Sequence, residues 1–321
     1  MKQILMLTIL MTLVSCTSKK VSEKDKELLS VAQENFRPLP TAIIDVEQKR
    51  DLLILGQKLY FEKKLSVNNS MSCNTCHNLE TFGVDNEPTS PGHEKKRGER
   101  NSPTVLNAAL HASQFWDGRE PDVEAQALGP ILNPVEMGMP SEKAVIDKLK
   151  QDQDYVELFA KAFPGTSNSM RYVNIGKAIG AFERTLLTPS RFDDYLKGDV
   201  HALSEKERRG LNEFIQIGCT SCHAGVVLGG DSFQKLGAIN EYKTSDRGRY
   251  NVTKDKDDMY FFKVPSLRNV VHTGPYFHDG SIKTLDEAIR LMGYHQLDVK
   301  LSEEQVEEIK AFLGSTTGKG L

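Results

Sequence analysis

Tryptophan occurs once in this 321-residue chain, at Trp116, and cysteine only five times. Four of the five cysteines fall in two short motifs, so none is left to build a disulfide framework. An excess of positive charge is also missing: 41 Lys and Arg stand against 44 Asp and Glu, a formal net charge of −3. That balance argues against a nucleic-acid-binding surface. The one conspicuous apolar run, Ile4 to Val14, is shorter than the roughly 20 residues that a membrane-spanning helix requires. Convincing alternation of apolar and polar positions is absent too, so β-strands have little support. What remains is an ordinary globular composition, 39% apolar and 26% charged, in a chain long enough for about two domains of roughly 150 residues each.

The start of the chain has the form of an export signal. Lys2 supplies a short positive region and Ile4 to Val14 the apolar one. "LVSC" at 13–16 resembles the lipobox of bacterial lipoproteins, in which the final cysteine is lipidated and becomes the new N-terminus. An ordinary secretory signal with an incidental Cys16 is the plainer alternative, and both readings export the chain. Thr17 and Ser18 follow, with no Asp, which by the same resemblance implies a lipid anchor in the outer membrane, facing the periplasm. Residues 1–15 are read as signal peptide. Residues 16–40, polar and ending at Pro38 and Pro40, are read as a tether with at most a short helix, outside any core.

Helical periodicity dominates the rest. Leu52, Leu53, Leu55, Leu59 and Tyr60 fall mostly on one face of a helix, a second helical stretch runs from Ser141 to Phe163, and a third covers 173–187. Ser204 with Glu207, Thr284 with Glu287, and Ser302 with Gln305 have the spacing of capping boxes. The last opens a helix with Val306, Ile309, Phe312 and Leu313 on one face. The expected class is mostly α with long loops.

An internal repeat sets the domain organisation. "SPTVLNAALHASQFWDG" at 102–118 aligns with "VPSLRNVVHTGPYFHDG" at 264–280, matching Pro103 with Pro265, Asn107 with Asn269 and Asp117 with Asp279. Each copy lies C-terminal to one "CxxCH". The simplest account is two related domains, 41–195 and 196–321, joined near 188–203, each built around one metal site.

The two motifs are Cys73, Cys76, His77 and Cys219, Cys222, His223. Two thiols separated by two residues reach the two vinyl groups of a porphyrin, and the adjacent histidine turns its imidazole to the iron. A redox dithiol needs no histidine and expects a βαβ surround that is missing. A zinc site pooling the four cysteines would leave both histidines unexplained and draw ligands from distant parts of the chain. Two covalently attached c-type haems use all six residues, and export agrees, because such haem is attached outside the cytoplasm in bacteria. The sixth ligand then decides function: Met raises the reduction potential and suits electron transfer, whereas an open position permits reaction with a small molecule.

Five blocks, "LGQKLYFEKKLSVNNSMSCNTCH", "RNSPTVLNAALHASQFWDGR", "EAQALGPILNPVEM", "VPSLRNVVHTGPYFHDGSIKTLDEAI" and "MGYHQL", appear in order from about residue 50 to the C-terminus. Together they resemble the bacterial dihaem cytochrome c peroxidases, which reduce hydrogen peroxide to water with electrons from small cytochromes c or cupredoxins. The resemblance implies two cytochrome c-like domains. It makes His77 the proximal ligand of a peroxide-reacting haem and His93 the ligand that occupies its sixth site at rest. Gln126 and Glu136 match the distal pocket, where a carboxylate moves a proton between the peroxide oxygens. Trp116 matches the residue that carries electrons between the haems. His223 becomes the proximal ligand of the electron-accepting haem and Met292 its sixth ligand, with Met259 and His295 as rival candidates. Asn101, Thr273 and Pro275 match a calcium site between the domains, a plausible set for an oxygen-preferring cation completed by waters. Members of the family are often homodimers. Two other activities remain open: oxidation of a partner protein, as in a related enzyme that matures methylamine dehydrogenase and uses tyrosine at the sixth site (Tyr294 lies nearby), and plain dihaem electron carriage.

Overall fold

The computed structural model describes residues 21–318. Cys16 and the export segment lie outside the described residues. Helices dominate: α1 (Glu23–Asn35), α2 (Arg50–Tyr60), α3 (Cys73–Cys76), α4 (Val123–Gln126), α5 (Gly129–Leu132), α6 (Glu142–Leu149), α7 (Gln153–Ala162), α8 (Tyr172–Glu183), α9 (Arg191–Leu196), α10 (Glu205–Ile217), α11 (Tyr250–Thr253), α12 (Leu285–Leu297) and α13 (Glu303–Ser315). Sequence patterning shows no strand, but a small antiparallel ribbon exists. It pairs β1 (Phe233–Lys235) with β2 (Phe261–Lys263), in the register Phe233 opposite Lys263. No helix among the described residues is long and apolar enough to cross a membrane.

Local signals account for the helix starts. Ser204 accepts from the Glu207 amide at 3.3 Å while the Glu207 carboxylate accepts from the Ser204 amide at 2.7 Å, a reciprocal box. Ser302 and Gln305 close the same way. Thr284 makes only its half, accepting from the Glu287 amide at 3.3 Å. The stretch 141–163 is two helices rather than one. Asp152 caps α7 by accepting from the Asp154 amide at 3.1 Å, and that cap ends the run begun in α6.

Two cores form, one per half. In the first, α2 crosses α8 so closely that a Cβ at Gly56 would strike the Ala178 carbonyl. In the second, α10 crosses α13 with Gly210 against the Glu308 carbonyl. The repeat is visible in the backbone: Asn107 and Asn269 both have φ of 61°, a left-handed conformation that asparagine tolerates. Both side chains donate to one hydroxyl, Thr188 Oγ1, at 2.8 and 2.9 Å, so the halves meet on that threonine.

The segment read as a tether joins the second core. Ala32 and Phe36 are fully buried, and the Phe36 ring packs edge-on to Phe192 at 5.3 Å. Phe192, Tyr195 and Leu196 of α9 belong to this core as well, so the second half reaches back across the expected 195/196 boundary. A wholly buried ion pair fastens the junction. Arg268 donates to both Asp193 oxygens at 2.9 and 2.8 Å, and Asp193 also accepts from the Leu39 amide at 2.7 Å. Bidentate geometry and added amide donors are what such a pair needs to offset its desolvation.

Candidate functional site

The first Cys-Cys-His motif sits on the single turn of α3, opened by Ser72 and Thr75 in a reciprocal box. The His77 amide closes the turn on the Cys73 carbonyl at 2.9 Å. The second follows Gly218, whose φ of 98° stops α10 in the left-handed region and turns the chain into Cys219. In both, the histidine Nδ1 lies against a backbone carbonyl: His77 on Pro103 at 3.0 Å and His223 on Leu228 at 3.2 Å. With Nδ1–H donating to a carbonyl, Nε2 is the free, basic nitrogen, the arrangement that metal-ligating histidines use. Burial draws both imidazoles below the usual histidine range, which keeps them neutral.

The thiols tell against the competing chemistries. Burial pushes Cys76 up to about 11 and Cys219 up to about 12, and raises Cys73 as well. A redox dithiol requires the opposite shift. Among the described residues, no three His, Cys, Asp or Glu side chains gather as a metal cluster. The pooled zinc site is therefore excluded.

A large apolar cleft adjoins the second motif. It is lined by Cys219, Cys222 and His223, by Phe214 and Ile289, and by Met292 from α12. Such a cleft, with two thiols and a neutral imidazole on its wall, fits a porphyrin. Met292 shares it with His223, whereas His295 does not line it: its Nδ1 lies 2.8 Å from the Asn240 carbonyl. Met259 lies at the end of the turn 256–258, away from this wall. Tyr294 is 50% exposed and off the cleft.

The cleft continues to Trp116, Asn101 and Pro103 of the first half. Trp116 spans the halves, donating from Nε1 to the Asn101 carbonyl at 2.9 Å and accepting from the Lys263 amide at 2.7 Å. Thr273 and Pro275 line the same space as Asn101. The Asn101 Nδ2 is spent on the carbonyls of Glu87 and Pro88, at 3.0 and 3.3 Å, leaving its side-chain oxygen as an acceptor.

His93, in the loop between α3 and α4, meets Glu136, in the loop between α5 and α6, at the backbone. The His93 amide donates to the Glu136 carbonyl at 2.8 Å, and its ring Nε2 lies 3.1 Å from the Pro134 carbonyl. Gly138, at φ +68°, leaves the space that the ring fills. The His93 nitrogen is thus bonded within protein in this structure. The Glu136 carboxylate accepts from Asn133 Nδ2 at 2.7 Å. Burial raises its pKa, opposed by Arg119 and that hydrogen bond. Gln126 ends α4, half-buried, positioned by the Asp122 cap on Ala125. Two groups on the cleft escaped pattern reading, His111 and Lys263. The only hint was a single charge inside "YFFKVP".

A mostly helical fold of two related halves, each with a Cys-Cys-His turn whose imidazole leaves Nε2 unbonded, has the form of a two-haem protein. Residues 50–201 match the family model described as di-haem cytochrome c peroxidase. The chain is 44% identical over 296 residues to the cytochrome c551 peroxidase of Pseudomonas aeruginosa, covering 88% of this chain and 84% of that one. It is 42% identical over 292 residues to the cytochrome c551 peroxidase of Nitrosomonas europaea, covering 89% and 85%. A solved MauG-like protein associated with microbial copper homeostasis superposes with a TM-score of 0.78 at 28% identity, over 88% of this chain and 95% of that one. The chain belongs to the di-haem cytochrome c peroxidase family.

Proposed function

We propose that the protein reduces hydrogen peroxide to water, using a first-half centre at Cys73, Cys76 and His77 and a second-half centre at Cys219, Cys222, His223 and Met292. The observation that carries this reading is the asymmetry between otherwise related halves. The second motif shares its cleft with a thioether, while the half holding the first contributes a half-buried acid, Glu136, beside a histidine-bearing loop. A haem attached through Cys73 and Cys76, with His77 turned to its iron, would supply the electrons that break the O–O bond.

The chain's own groups would manage protons and access. Glu136, held by Asn133 and with its pKa raised by burial, takes the proton from one peroxide oxygen and returns it to the departing one, which leaves as water. Gln126 orients peroxide by hydrogen bonding. His93 covers the site at rest and withdraws with its loop. Trp116, bonded to both halves, lies on the route between the centres. Two electrons and two protons complete the balance to two waters. Electrons enter one at a time from a small cytochrome c or cupredoxin at the second half.

Calcium would sit at Asn101, Thr273 and Pro275, using one amide oxygen, two carbonyls and water. Export to the periplasm with a lipid on Cys16, and a homodimer, complete the proposal. The Tyr294 exposure and the placement of Met292 favour peroxidase over partner-protein oxidation. The test is steady-state turnover of the holoprotein with a reduced small cytochrome c. Two ferrocytochromes oxidised per peroxide consumed is the expected result. Peroxide-independent oxidation, or none, overturns the reading.

A further inference from the structure

Lys263 is 7% exposed, at the end of β2. Lysine is almost never buried without an anion, because an unpaired ammonium in an apolar setting is strongly penalised. Yet among the described residues no carboxylate pairs with it, and its side-chain hydrogen bond goes to His111 Nδ1, at 3.2 Å. An ammonium donates and does not accept, so His111 Nδ1 is the acceptor and the imidazole proton sits on Nε2. That Nε2 is itself buried without a partner. The ammonium has three N–H groups and spends one on His111, so its other two and the His111 Nε2–H are left without a protein side-chain acceptor. Both residues line the cleft that holds Cys219, Cys222 and His223.

We propose that Lys263 and His111 together hold a carboxylate of the haem bound at His223. The inference rests on the attachment proposed above and adds two groups from opposite halves of the chain. The propionate is the acceptor class that fits, being an anion carried into this cleft by the haem itself, with lone pairs for both donors. His111 comes from the first repeat and Lys263 from β2, so the carboxylate ties the halves together where Trp116 also crosses, accepting from the Lys263 amide.

The experiment is a potentiometric titration of the holoprotein with resonance Raman detection of the propionate bending modes. Wild type is compared with Lys263→Gln, Lys263→Arg and His111→Phe. Removing a cation near the haem disfavours its reduced form. At a fixed applied potential, the reduced-to-oxidised ratio of the second-half haem should fall roughly tenfold in Lys263→Gln, the effect of one unit charge at about 10 Å in a medium of dielectric about 20. Lys263→Arg should restore the ratio to within about threefold. A propionate mode should shift in Lys263→Gln and in His111→Phe. Unchanged modes and ratios in both overturn the proposal. Should Lys263→Gln not fold, His111→Phe decides through the propionate mode: a shift supports the contact and an unmoved mode overturns it. Mass analysis of the peptide around Cys219 is run alongside. Absence of haem there refutes the attachment, whereas haem present with unmoved spectra refutes only the carboxylate contact.

Discussion

Glu136→Gln separates proton transfer from architecture. Glutamine keeps the size of the side chain and an oxygen that accepts from Asn133 Nδ2, the 2.7 Å bond that positions the carboxylate. What it loses is the ability to take and return a proton. The hydrogen bond weakens from charge-assisted to neutral, a change of about 1 kcal/mol, and relief of a half-buried charge offsets part of it. Stability should therefore move by no more than about 1 kcal/mol. Turnover should fall by about 10²- to 10⁴-fold, the usual contribution of a positioned acid–base group, or about 3 to 5 kcal/mol of barrier. The catalytic effect exceeds the structural one severalfold, so the two are distinguishable. The pH profile adds a second reading. Burial holds the Glu136 pKa above the ordinary glutamate value. Wild-type turnover should thus decline as pH falls through that raised pKa, and the variant should lack this acid limb. The assay is stopped-flow oxidation of a reduced cytochrome c at several pH values, with visible spectra to verify both haems. Turnover within threefold of wild type, or an acid limb that persists, would refute the role given to Glu136.

Three further outcomes follow from the same structure. Met292→Ala should lower the potential of the second-half haem, since a thioether ligand raises it, and should abolish reduction of that centre by mild donors; an unchanged potential removes Met292 as ligand. Arg268→Ala leaves Asp193 charged and 0% exposed without its partner, so unfolding stability should drop by about 3 to 5 kcal/mol in urea titrations; a loss under about 1 kcal/mol would show that the pair is not fastening the junction. Burial and the neighbouring Glu124 push the Glu183 carboxyl up to about 8. Because that value lies above the unfolded one, its stabilising contribution is complete below the ordinary glutamate range and is lost as pH rises toward and through about 8. The wild-type thermal midpoint should fall over that window more than that of Glu183→Gln, and parallel curves would contradict the assignment.

What could be read from sequence was what is local. The two Cys-Cys-His turns, the boxes at Ser204 and Ser302, and the repeat through Asn107 and Asn269 each depend on residues close in the chain or on self-similarity. The structure adds the reason for the repeat, since both asparagines converge on Thr188. The docking of α1 was not legible. Its polar composition reads as tether, and only the aromatic cluster of Phe36 with Phe192, Phe214 and Phe312, drawn from distant segments, makes it core. The split at Asp152 escaped notice because apolar periodicity runs through a cap. Lys263 and His111 were invisible for a different reason. Their significance lies in missing a partner, a property that appears only once residues 152 positions apart are brought to 3.2 Å.

In the proposed function two unequal haems divide the work, one receiving electrons and the other meeting peroxide. That division can be read from a spectroscopic redox titration of the holoprotein, with peroxide added when half of the haem is reduced. Two well-separated potentials are expected, the higher belonging to the Met292 centre, with rapid spectral change on adding peroxide at that stage. A single potential for both haems, or a half-reduced protein inert to peroxide, would contradict it.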